Sequence, residues 1–241
     1  MSGHSKWATT HRQKEANDAK KGAAFTKLAG AITIAVRAGG GIGDPDKNFR
    51  LRLAVDKARQ LNMPKENIAR AIEKGMGGAG GVQLQEAMFE GFLPGGVAVM
   101  VEAQTDNHVR TQQQVRLIVD KAGGSLGSTG AVAYLFAAKG EVVADAGEKG
   151  IQEAELAAID AGADDVETEG NKLIIDCHRD KTYEVKEEME RRGYKVESAE
   201  LVMKPLALME VENIEQRQKI ERILADLEDL DDVSRVWTNY A

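Results

Sequence analysis

Residues 95–124, GGVAVMVEAQTDNHVRTQQQVRLIVDKAGG, decide the fold. Val97-Ala98-Val99-Met100-Val101 is an apolar run of strand length, rich in β-branched side chains. Thr105-Asp106-Asn107 follows with the chemistry of a helix N-cap. From Asn107 to Ala122 the period becomes helical, and Val115, Ile118, Val119 and Ala122 share one face. Gly123-Gly124 closes the helix. Ala131 to Phe136 reads as a second strand, which completes a β-α-β unit.

The theme recurs downstream. Glu141-Val142-Val143-Ala144 is a strand, Ile151–Ala161 a helix and Asp165–Thr168 a short strand. Leu173-Ile174-Ile175, a helix over Thr182–Arg192 and a strand over Lys195–Val202 repeat it. In the tail, Leu208–Glu212 reads as a strand, and Asn213 caps a helix whose face holds Ile220, Ile223, Leu224 and Leu227. Val233–Trp237 is the last strand. These patterns suit compact α/β sandwiches with ferredoxin-like logic. The tail is half of a sandwich whose first half could be residues 82–136, with 137–205 inserted. A linear series of domains fits the pattern equally.

Upstream of the deciding stretch the pattern is helical. Phe25, Leu28, Ala29, Ile32 and Val36 form one stripe in a helix over His11–Arg37, ended by Gly39-Gly40-Gly41-Ile42-Gly43. Leu51, Ala54, Val55, Ala58 and Leu61 form a second stripe. Pro64 is expected just inside a third helix that buries Ile68, Ala71 and Ile72 and stops at Gly75. Gly77-Gly78-Ala79-Gly80-Gly81 reads as a linker, so residues 1–81 make a helical domain with an extended arm over its first ten residues.

Bulk composition narrows function. Among 241 residues there is one cysteine, which excludes an internal disulfide and a thiolate cage. No apolar run approaches a membrane span and no secretory h-region opens the chain, so a cytoplasmic location without membrane contact is expected. The net charge of −7 conceals a split: residues 1–81 hold 15 Lys+Arg against 7 Asp+Glu, and the rest 17 against 32. That asymmetry points to a basic contact module joined to an acidic body.

The residues resemble the YebC/PmpR family, which includes the mitochondrial translational activator of cytochrome oxidase subunit one. The motifs are Gly3-His4-Ser5-Lys6-Trp7, Asp18-Ala19-Lys20-Lys21-Gly22, Phe25-Thr26-Lys27-Leu28, Asp44-Pro45-Asp46, Arg50-Leu51-Arg52 and Asn62-Met63-Pro64-Lys65-Glu66-Asn67-Ile68. Gly95-Gly96-Val97-Ala98-Val99, Thr105-Asp106-Asn107 with Arg110-Thr111, Gly123-Gly124-Ser125-Leu126-Gly127 and Gly130-Ala131-Val132-Ala133 extend the match over nearly the whole chain. The chain departs from the family's pattern at Thr9-Thr10-His11-Arg12-Gln13-Lys14, at Ala23 and in three extra residues near Gly41-Ile42-Gly43. The resemblance implies an α+β chain: an N-terminal three-helix domain (1–81), an α/β domain from 82–136 with 206–241, and a third domain, 137–205, inserted into it. It also implies a DNA-binding transcriptional regulator or, as in other members, a ribosome-associated translation factor.

Both roles need phosphate contacts. Lys6, Arg12, Lys14, Lys20, Lys21 and Lys27 crowd into 22 residues opposed only by Glu15 and Asp18, and such cations displace condensed counterions. Lys20 and Lys27, seven apart, share a helix face. Trp7 and His11 are stacking candidates, with Trp7 equally suited to anchoring the arm on the bundle. Arg50 and Arg52 flank a buried Leu51 and can reach solvent. Partners expected are double-stranded DNA or ribosomal RNA, with a protein contact or homodimer through the acidic body. No recognition-helix signature names a base sequence.

No catalytic motif stands out, and the third reading, an enzyme with an unrecognised cleft, requires buried and perturbed titratable groups converging in one cleft. His4, His11, His108 and His178 lack metal spacing, and Cys177 and His178, adjacent on a strand, face opposite sides. The Gly39–Gly43 run lacks the Gly-Lys-Ser/Thr of a phosphate loop. No metal or cofactor is expected.

Overall fold

The computed structural model describes residues 21–77 and 84–241, and these form helices and two four-stranded antiparallel sheets, an α+β architecture. Three helices come first: α1 (Lys21–Ala38), α2 (Phe49–Gln60) and α3 (Lys65–Gly75). Their apolar stripes meet in one core of Leu28, Ile32, Val36, Leu51, Val55, Ala58, Ile68 and Ala71, with Met63 from the turn. Asn48 caps α2, its side chain accepting from Leu51 N–H at 3.1 Å and donating to the Ala35 carbonyl at 2.9 Å. One buried amide thus fixes both the start of α2 and the end of α1. Pro64 lies one position earlier than expected, as the N-cap of α3. Gly75 does not make the left-handed stop, which falls at Gly77 (φ 100°). Gly75 instead admits α1: a Cβ there would sit 2.6 Å from the Val36 Cβ.

The next elements are β1 (Gln85–Leu93), β2 (Val97–Thr105), α4 (His108–Lys121) and β3 (Ser125–Leu126). Then come β4 (Phe136–Asp145), α5 (Ile151–Asp160), β5 (Asp165–Glu169), β6 (Lys172–His178), α6 (Thr182–Arg191) and β7 (Lys195–Pro205). The chain ends with α7 (Ile214–Glu228) and β8 (Val233–Thr238). Two compact units result: Ala137–Lys204 is one, and the described residues on either side of it form the other.

The flanking unit holds the sheet β3-β1-β2-β8. β1 was not legible in the sequence, because Glu86, Glu90 and Gly91 break the apolar pattern. A tight turn joins it to β2, with Leu93 opposite Val97. The β2-α4-β3 crossover straddles β1, so β2 and β3 run parallel with an antiparallel strand between them. α4 and α7 cover one face, where Val97, Val99, Val101, Val115, Val119, Ile220, Leu224 and Leu227 make the core. α1 lies against β2 and β8, and Gly30 is its point of close approach to the Gln104 side chain. Gln104 alternates with those core residues along β2, so the helical bundle covers the opposite face.

Two expected strands are not strands. Ala131–Phe136 passes through a turn and a short 3-10 helix, Ala133–Leu135, and pairing begins only at Phe136. The cause is Glu90: its buried carboxylate accepts from Gly130 N–H (2.8 Å) and from Val132 and Ala133 N–H (2.9 Å each), satisfying donors a ladder would otherwise use. Leu208–Glu212 makes only one bridge, Met209 to Tyr240.

The inserted unit has sheet order β5-β6-β4-β7, with β6 between β4 and β5, the split β-α-β of a ferredoxin-like sandwich. Cys177 and Gly140 face α6, since a Cβ at Gly140 would meet the Cys177 Sγ at 2.9 Å and the Thr182 side chain. On the other face the Lys204 ammonium bonds Asp176 and, at 3.2 Å, Glu167. No helix among the described residues is long and apolar enough to cross a membrane.

Candidate nucleic-acid interface

Lys6, Trp7, His11, Arg12, Lys14 and Lys20 lie outside the described residues. Lys21 opens α1. The remaining three expected contacts all have intramolecular partners. Lys27 donates to the Glu228 carbonyl at 2.7 Å, which places its ammonium on the last turn of α7, where orphan carbonyls and the helix dipole both favour a cation. Arg50 pairs with Glu86 of β1 at 2.9 Å. Arg52 donates to the carbonyls of Pro45 (2.9 Å) and Asp46 (2.8 Å), so it fastens the loop before α2.

Arg37 joins this set by donating to the Leu84 carbonyl at 3.3 Å. Lys27 thereby ties the bundle to the end of α7, and Arg37 and Arg50 tie it to the start of β1. Glu102 of β2 sits at this junction, opposite Arg235 of β8. Burial pushes its carboxyl up; Arg235 opposes that, Glu86 reinforces it, and Arg50 and Lys57 oppose it further. The sequence could not show these anchors, because Leu84, Glu86 and Glu228 lie 36 to 201 residues from their partners.

Other cations are more open. Lys65 and Lys74 stand exposed near the two ends of α3. Arg70 between them bonds Asn67 and the Glu66 carbonyl on its own helix. Beside α3 runs a groove of about 600 Å³ whose walls include Phe25, Ala29, Thr33, Met63 and Ala71, with Arg70 and Lys74 also lining it. Its lining is an apolar wall with cations beside it.

Among the described residues, Cys177 and His178 do not form a nucleophile–base pair. Cys177 is fully buried, and burial first of all raises its thiol to about 11, so it is not a nucleophile at neutral pH. His178 is exposed on the other side of β6 and faces Asp180 at 3.5 Å. No group of three His, Cys, Asp or Glu residues among the described residues could hold a metal ion.

Thr105-Asp106-Asn107 does structural work. Asn107 caps α4, accepting from Arg110 N–H at 3.0 Å. Asp232, just before β8, accepts from Thr111 (2.6 Å), Arg110 (2.7 Å) and Thr105 (3.2 Å). Burial would raise the Asp232 carboxyl, but the Arg110 and Thr111 bonds outweigh it and hold it below the usual range.

Two family models cover most of the chain: the TACO1/YebC protein N-terminal domain matches residues 5–78, and the TACO1/YebC second and third domain matches residues 84–240. The chain belongs to the TACO1/YebC family. A probable transcriptional regulatory protein of Chloroflexus aggregans is 46% identical over 241 residues, covering 99% of this chain and 95% of that one. One of Aquifex aeolicus bearing the same description is 43% identical and covers 100% and 96%. The crystal structure of a conserved hypothetical protein from Aquifex aeolicus aligns with a TM-score of 0.86 at 43% identity, over 93% of this family member and 91% of that chain.

Proposed function

We propose that this protein is a non-catalytic, DNA-binding transcriptional regulator that meets the phosphate backbone through its basic N-terminal region. The observation that carries the reading is the charge division: 15 Lys+Arg against 7 Asp+Glu in residues 1–81, and 17 against 32 beyond them. Polyanion affinity grows with the number of phosphates neutralised, and only the first region offers a cation excess. The relatives described as probable transcriptional regulatory proteins support the same reading. A reproducible footprint on one promoter duplex, with affinity falling steeply with salt, is the expected result. Equal, weak protection of unrelated duplexes counts against it.

A second reading has its own support. Lys27, Arg50 and Arg52 are bonded within the protein, so none is presented for base edges. Phosphate contact with little base readout suits ribosomal RNA as well as DNA. Co-sedimentation with purified ribosomes at physiological salt, in excess unrelated duplex, separates the two. Binding that survives the competitor makes translation the primary role; its loss leaves DNA.

A further inference from the structure

The inserted unit presents a surface of different chemistry. Leu156 and Ile159, one turn apart on α5, are 65% and 59% exposed. They sit in the most acidic part of the chain, for residues 148–169 hold eight Asp+Glu and one Lys. Asp160 is tied to Arg192 at 3.1 Å and Asp164 to Lys139 at 2.5 Å. Glu153 and Asp165 are exposed and Glu155 is half-buried. β5, the neighbour of α5, is an edge strand of the sheet.

We propose that the outer face of α5 with the β5 edge docks a cationic, amphipathic segment of a protein partner. Charge complementarity selects that occupant. Nucleic acid and anionic lipid are repelled by a surface of this sign. A second copy would bring the same patch to itself across a two-fold axis, setting carboxylates against carboxylates. Acidic residues on an edge strand alone would be a guard against strand pairing. That guard has no use for two protruding aliphatic side chains, which weaken it. A partner carrying Lys or Arg around an aliphatic stripe satisfies both features at once, the apolar residues supplying contact area and the rim supplying orientation and on-rate.

The test uses the full-length protein and, as probe, a fluorescein-labelled amphipathic helical peptide of leucine and lysine, read by anisotropy at physiological salt. L156S/I159S should weaken binding at least tenfold. E153Q/D165N should weaken it less and flatten its salt dependence. V109S/L117S, which alters two exposed aliphatic residues of α4, should leave it unchanged. Equal loss in the α4 variant, or no loss in L156S/I159S, overturns the proposal. So does sedimentation showing that the wild type self-associates and L156S/I159S does not, since the occupant is then a second copy. Circular dichroism checks each fold; if L156S/I159S does not fold, the charge variant decides, and unchanged affinity and salt dependence there overturn the proposal.

Discussion

Lys204 is the last residue of the inserted unit, and its ammonium lies between Asp176 and Glu167, both largely buried. Burial raises the Asp176 carboxyl, which Lys204 opposes; burial would depress Lys204, but Asp176 and Glu167 outweigh it and raise it. Removing one partner of a buried pair strands the other. K204M should therefore destabilise the protein by about 3 kcal/mol at pH 7 in urea unfolding. The stranded carboxylates become neutral as protons bind, so the loss should shrink as pH falls toward 4. Cys177 gives a second check at this scale. Its thiol, raised to about 11 and fully buried, should resist iodoacetamide at pH 8 in the native protein and react at once in urea. Sequence placed Cys177 and His178 on opposite faces correctly, because strand alternation is a local rule. It had no means of finding Lys204 beside Asp176, 28 positions away.

At the scale of elements, helices were legible and some strands were not. Val115 and Val119, or Ile32 and Val36, announce a helix through their own spacing. β1 is recognisable only once β2 lies beside it, and the loop at Gly130–Ala133 only once Glu90 is known to reach it. E90Q replaces one acceptor oxygen with a donor facing backbone N–H groups. It should cost about 2 kcal/mol and speed amide exchange at Gly130, Val132 and Ala133. Asp232 ties α4 to the start of β8 in a similar way. Its folded carboxyl lies below the unfolded value of 3.8, so its contribution is full above that pH and is lost as pH falls through the depressed folded value. D232N should be less stable than the wild type by about 1 kcal/mol at pH 6, discounted for the partly exposed Arg110. The gap should narrow as pH falls below 3.8, as followed by thermal unfolding.

Across the whole molecule, the charge division was visible from the sequence, but the use made of each cation was not. Arg50 was expected at a nucleic-acid surface, and it bonds Glu86 of the adjoining sheet. R50A should lower the melting temperature slightly, and E86R/R50E should recover more of it than the single changes predict, by up to about 0.5 kcal/mol of coupling. The inserted unit has a further consequence for synthesis. The two chain segments that lead into and out of it are joined by a hydrogen bond from Leu206 N–H to the Leu135 carbonyl at 2.9 Å. All four strands of the inserted sheet are complete by Pro205, whereas the surrounding sheet needs β8, which ends at Thr238. On a growing chain the middle segment has its full set of strands first, and β2 must wait with one edge open until β8 emerges. A nascent chain halted before Val233 would thus carry a finished insert within an unfinished host.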